Sequence, residues 1–267
     1  MKKLMVFILI GLMLLLTGCG ETSEAKETKG SSGAKEGAIT VITTAGGYPF
    51  NAINAETQEI EGFMIDIIHE MSERSGTETE LVTGEWNALI PSVQSGKADV
   101  IVDGMYITDE RKKVINFTEP VFGYGEGLIV QEGDTATKSL EDLSGKVIGV
   151  QMGTSYKDML EEKSDALDYE VKTYNAQADM LKDVENGRID AALADSPTFS
   201  YILSKNPDMK FKIVEDYEPS LAGEIGIGLS KDQPELLEKL NTAIEEMKAD
   251  GSLKEIYEKW GVDWDYN

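Results

Sequence analysis

The chain has 267 residues, 49 of them acidic and 25 Lys or Arg, for a formal net charge of −24. So acidic a surface repels phosphates and excludes nucleic acid as a main partner. One cysteine, Cys19, allows no internal disulfide framework, and one histidine, His69, allows neither a histidine-based triad nor a zinc cluster of His and Cys.

In chain order, the start reads as a targeting segment. Lys2 and Lys3 precede an apolar run too short for a comfortable membrane span. Leu16-Thr17-Gly18-Cys19 then resembles the lipobox of bacterial lipoproteins. This makes residues 1–19 a lipoprotein signal peptide and Cys19 the lipidation site. Residues 20–37 carry Gly, Ser, Thr, Glu, Lys and Ala without an aromatic or branched apolar residue, the composition of a disordered tether. The expected location is the outer face of a bacterial cell membrane, lipid-anchored.

From residue 38 strand and helix patterns alternate. Strands are expected at 39–43, 80–82, around Val100, at 114–117, at 127–131, at 146–150 and at 225–229. Helices are expected at 63–71, from Trp86 onward, at 109–113, after Gly153, at 234–247 and at 252–260. His69 falls on a polar part of the first helix and reads as a solvated surface residue. The order implies an α/β fold with parallel sheets covered by helices.

A near-repeat divides the folded part. Gln94-Ser-Gly-Lys-Ala-Asp-Val-Ile-Val-Asp103 and Glu185-Asn-Gly-Arg-Ile-Asp-Ala-Ala-Leu-Ala194 have one pattern. A helix ends at a glycine, and an apolar strand follows and ends in polar residues. Ligands of open α/β sheets sit off the carboxyl ends of strands, so two such strand ends suggest two lobes with a ligand cleft between them. The lobes are expected at 38–124 plus 224–267 and at 125–223. Glycines near 123–127 and the segment 220–224 would form the hinge, because hinges need adaptable backbone.

Several motifs then carry a resemblance. Gly62-Phe63-Met64-Ile65-Asp66, Trp86 to Gly96, Gly104-Met-Tyr-Ile-Thr-Asp-Glu-Arg111 and Phe117-Thr-Glu-Pro120 form one half. Leu143 to Ser155, Asn186-Gly-Arg-Ile-Asp190 and Lys248 to Trp260 form the other. Together they resemble the family 3 extracellular solute-binding proteins, polar-amino-acid receptors of ABC importers. The resemblance implies a two-lobed periplasmic-binding-protein-like (type II) fold with a two-strand hinge. It also implies a monomer with no cofactor, an amino acid or similar zwitterion as ligand, and a membrane permease as partner.

It also nominates residues. Arg111 matches the family arginine that pairs with a ligand carboxylate, chemistry that a planar guanidinium suits. Gly153, Thr154 and Ser155 lie between a strand and a helix, where N–H groups suit a carboxylate and where a plain N-cap is the alternative. Asp195 matches the residue that receives an α-ammonium, although an Asp before Ser196-Pro197 also reads as a helix cap. Tyr48, Phe50 and Trp86 are candidates to pack on the ligand, with either Tyr48 or Phe50 facing the cleft. Asp103, Gly104 and Tyr106 end a first-lobe strand. The family has Ser or Thr at Tyr106, and tyrosine there resembles ectoine-binding members. Tyr106 and Asp103 together suggest extra positive charge or a zwitterionic ring on the ligand. An enzyme resembling cyclohexadienyl dehydratase is the rival class, but the residues after Asp195 include no carboxylate to serve as general acid.

Overall fold

In the computed structural model, which describes residues 38–264, the alternating pattern becomes two sheets with helices packed against them. The first elements are β1 (Ile39–Thr43), β2 (Gly46–Gly47), β3 (Asn51–Ile53), β4 (Ile60–Glu61), α1 (Phe63–Ser75) and β5 (Thr79–Thr83). A 3-10 turn at Trp86–Ala88 leads into α2 (Leu89–Gln94), β6 (Val100–Ile101), α3 (Asp109–Val114) and β7 (Asn116–Phe117). Next come β8 (Phe122–Gln131), β9 (Val147–Gln151), α4 (Ser155–Leu167), β10 (Glu170–Tyr174), α5 (Gln177–Glu185), β11 (Ala191–Asp195), α6 (Ser196–Lys205) and β12 (Phe211–Ile213). The chain closes with β13 (Ala222–Ile225), β14 (Gly228–Leu229), α7 (Pro234–Asp250) and α8 (Ser252–Trp260). The signal peptide, Cys19 and the tether lie outside the described residues.

The first sheet has the order β5-β1-β6-β14-β7, and the second β10-β9-β11-β8-β12 with β13 also paired to β8. The strands joined by helical crossovers, β1 with β5 and β6, β9 with β10 and β11, are parallel. Residues from both ends of the described chain therefore build the first sheet. β8 and β13 run antiparallel from Phe122↔Ile225 to Gly125↔Ala222, where the chain passes between the lobes twice.

The repeated glycines end their helices in the left-handed conformation, Gly96 at φ 70° and Gly187 at φ 65°, which spares a side chain the steric cost of that geometry. The glycines of 123–127 do something else. They lie inside β8 rather than in a loop, and a Cβ on Gly123 or Gly125 would fall 2.6 Å from Trp264 or 2.7 Å from Pro219. They admit close neighbours to an extended strand.

Other expectations shift locally. Val114 ends α3 instead of starting a strand: Thr108 caps the start of that helix with its hydroxyl on the Arg111 N–H at 3.2 Å, and at its end the Ile115 N–H donates to the Arg111 carbonyl at 3.0 Å. Residues 225–229 split into β13 and β14. At the break the Ile227 N–H turns to the Thr118 hydroxyl at 3.0 Å. The short sheet of β2, β3 and β4 was not apparent in the sequence pattern.

Two of the motifs fasten each other. The Asp66 Oδ2 in α1 accepts Trp260 Nε1 and Lys259 Nζ, each at 2.6 Å, from α8. In the second lobe the Glu126 carboxylate is buried and accepts the Tyr217 hydroxyl at 2.7 Å and the Ser220 N–H at 2.6 Å, which pins the return toward β13. His69 lies on the exposed side of α1.

Candidate ligand-binding cleft

A cavity of about 290 Å³ opens between the two sheets, beyond the carboxyl ends of β1, β9 and β11. Thr44, Phe50, Asn51, Trp86, Tyr106 and Arg111 line it from the first lobe. Ser155, Tyr156, Gln177, Asp195 and Thr198 line it from the second. Tyr124, on the crossing strand β8, lines it as well.

Arg111 is placed by the short capped helix α3. Its Nη1 donates to the Tyr106 carbonyl at 2.9 Å and its Nη2 to the Gly153 carbonyl at 3.3 Å, while Cζ stands 5.7 Å from the centre of the Trp86 ring. Among the described residues it forms no ion pair. Burial lowers its pKa, yet a guanidinium keeps its charge at any physiological pH.

Asp195 ends β11 and occupies the N-cap position of α6, but its side chain makes no capping bond. The carboxylate instead accepts the Tyr156 hydroxyl at 2.8 Å. Burial above all, with the charge of Asp103 adding, pushes its pKa up to about 6, against the opposing pull of the Tyr156 and Tyr124 hydroxyls and of Arg111.

This carboxyl stands at the end of a chain of shared protons. Tyr156 Oη lies 2.8 Å from both Asp195 Oδ1 and Tyr106 Oη, and Tyr106 Oη lies 3.0 Å from the Tyr124 carbonyl. Three contacts share two phenolic protons when Asp195 is ionised. A proton on Asp195 would complete the chain, each hydroxyl donating to the next oxygen. Burial raises the phenols further, so Tyr106, Tyr124 and Tyr156 stay protonated.

Thr154 is a helix cap: its hydroxyl accepts the Lys157 N–H at 3.3 Å and donates to the Gln151 carbonyl at 2.8 Å. Thr154 and Ser155 line the cavity at the start of α4, so the positive end of that helix faces it. Gly153 departs from its expected part. It presents its carbonyl, which receives Trp86 Nε1 at 3.0 Å as well as Arg111, a bond pair spanning the two lobes.

Phe50, not Tyr48, faces the cavity. Phe50 is buried with ring neighbours Phe63 at 4.9 Å and Tyr124 at 5.1 Å. Tyr48 turns the other way, donates to Glu61 Oε1 at 2.5 Å, and packs on Tyr201 at 4.9 Å and Trp260 at 6.0 Å. Asp103 lines the cavity, and both its oxygens accept hydrogen bonds from the protein. Oδ2 accepts the Thr44 N–H and hydroxyl, each at 2.8 Å, and the Thr43 hydroxyl at 3.3 Å, while Oδ1 accepts the Gly104 N–H at 2.8 Å. It ties the end of β1 to the end of β6. Gly104 lines the cavity and its carbonyl takes the Tyr124 hydroxyl at 2.8 Å.

Sequence reasoning missed Tyr156, Tyr124, Asn51 and Gln177. Tyr156 directly follows Gly153-Thr154-Ser155, and adjacency in the first turn of α4 was a usable signal. Tyr124 was hidden inside a glycine run that resembled a hinge loop.

With this geometry in place, comparison with known proteins is direct. Residues 39–263 match the family "Bacterial extracellular solute-binding proteins, family 3". The probable amino-acid-binding protein YxeM of Bacillus subtilis (strain 168) is 30% identical over 97% of this chain and 95% of its own. The arginine-binding extracellular protein ArtP of the same organism is 30% identical over 97% of this chain and 98% of its own. A solved ancestral arginine-binding protein bound to arginine is 36% identical, with a TM-score of 0.78 over 84% of this chain and 98% of its own. Among the described residues no helix is long and apolar enough to cross a membrane. A type II two-lobed fold, a cleft with opposed charges and a match across nearly all the folded residues place this chain in family 3 of the bacterial extracellular solute-binding proteins.

Proposed function

We propose that this protein is the lipid-anchored receptor of an amino-acid ABC importer. It is tethered through Cys19 on the outer face of the cell membrane, acts as a monomer, and hands its ligand to a membrane permease. The observation that carries this reading is that Arg111 from one lobe and Asp195 from the other line a single cavity, and neither has an ion-pair partner among the described residues. Together they suit the two charged groups of an α-amino acid: the guanidinium and the start of α4 take the carboxylate, and Asp195 takes the ammonium. Closing the lobes removes water and strengthens both contacts. This role requires no covalent chemistry, so the protein is a binding protein and not an enzyme. The phenols of Tyr106, Tyr124 and Tyr156 support a second reading, a compatible-solute receptor whose cationic nitrogen packs on π faces.

The test is calorimetry on the domain with free L-amino acids, ectoine and betaine. At least one α-amino acid should bind, and Arg111→Ala should weaken it about 100-fold, equivalent to about 3 kcal/mol. Binding of ectoine or betaine with no amino acid bound would move the assignment to the second reading. Unchanged affinity in Arg111→Ala would remove the guanidinium from the site.

A further inference from the structure

Two side-chain amides in the cleft have nitrogens with no acceptor among the described residues. Asn51 is 1% exposed and lines the cavity. Its Oδ1 accepts the Gly46 N–H at 2.9 Å, which fixes the amide's orientation and leaves Nδ2 on the opposite side. That Nδ2 is buried without a partner. Gln177, the first residue of α5, lines the same cavity from the other lobe, and its Nε2 is likewise buried and unpartnered. A buried donor without an acceptor costs on the order of 1–3 kcal/mol, so each is expected to meet an oxygen when the cleft is filled.

The buried carboxylates of the cleft are already engaged. Asp103 is engaged by four donors, and Asp195 is committed to Tyr156 and, under the reading above, to the ligand's ammonium. The remaining carboxylate, Glu85, is solvent-exposed, where a charge is screened. A guanidinium or ammonium side chain has no acceptor to offer and would leave both amide donors unmatched.

Resting on the amino-acid reading, we propose that the ligand's side chain ends in a hydrogen-bond acceptor, an amide or carboxylate oxygen received by Asn51 and Gln177, and not in a cation. Selectivity would then differ from that named for the arginine-binding relatives, although the fold and the α-amino-acid contacts are shared.

The experiment is calorimetry at neutral pH with glutamine, asparagine, glutamate, aspartate, arginine and lysine, on the wild type and on Asn51→Asp and Gln177→Glu. These substitutions keep size and remove the N–H donors, and Asn51→Asp keeps an oxygen for the Gly46 N–H. The amide or the acidic pair should bind at least tenfold tighter than arginine and lysine, and which pair wins separates an amide oxygen from a carboxylate. Each variant should weaken that ligand at least tenfold and narrow the gap to arginine. Should Asn51→Asp fail to fold, Gln177→Glu, at a half-exposed residue, carries the same test. Arginine or lysine binding tightest would overturn this proposal and leave the amino-acid reading standing. No binding of any of the six, with ectoine or betaine bound, would overturn both.

Discussion

Asp99 and Asp190, the shared acids of the near-repeat, make the same pair of bonds in the two lobes. Asp99 Oδ2 accepts the Thr40 N–H at 2.7 Å while its own N–H donates to the Thr40 carbonyl at 2.8 Å. Asp190 Oδ2 accepts the Val147 N–H at 2.9 Å while its own N–H donates to the Val147 carbonyl, also at 2.9 Å. Each locks the start of a buried strand to the neighbouring central one. The repeat is therefore a folding device, and the ligand chemistry lies a few residues further on.

Replacing either acid by Ala should leave a strand N–H without its partner and cost about 1–3 kcal/mol. Urea unfolding of Asp99→Ala and Asp190→Ala measures this. Ligand preference should not change, since neither residue lines the cavity.

The cleft should respond to pH through Asp195. A carboxyl raised to about 6 loses its charge as pH falls through that value, so affinity for an ammonium ligand should decline below about pH 6. For the ligand-free fold the sign is opposite. The unfolded Asp is the stronger acid, so the folded state binds the extra proton between about pH 4 and pH 6, and this group's contribution to stability falls as pH rises through that window. Tyr156→Phe removes a donor to the charged form and should move the midpoint upward. Calorimetric affinity against pH, in both proteins, is the measurement; an unmoved midpoint would remove Tyr156 from control of the acid.

Trp86 and Arg111 both reach across to the Gly153 carbonyl. Trp86→Phe keeps most of the ring and deletes the N–H, at a cost of about 1 kcal/mol, or roughly fivefold in affinity. The loss should appear mainly as faster ligand release, read by stopped-flow dissociation.

Asp66→Asn exchanges a charge-assisted acceptor for Trp260 and Lys259 for a neutral one. The expected penalty is about 1–2 kcal/mol in global stability, with earlier loss of protection in α8 by hydrogen exchange.

The strands and helices with strong periodicity were legible from residues alone, as were the two αL glycines and the cleft between strand ends. Arg111 and Asp195 became legible only through the motif context. What stayed hidden depended on partners distant in sequence. Nothing local indicates that Asp103 accepts from Thr43, Thr44 and Gly104, or that Tyr48 finds Tyr201 and Trp260 on the far side. The hydroxyl chain runs from Asp195 through Tyr156 and Tyr106 to the Tyr124 carbonyl, residues that share no sequence pattern and meet only through the fold.

β8 has one mechanical consequence. Glu126 pairs with Asp195, and the adjoining residue Gly125 already belongs to the stretch that pairs with β13. The acid is thus mounted a single rung from the β8–β13 pairing, on the same continuous ribbon. Any bending of that ribbon therefore reaches Asp195 through one adjacent residue pair.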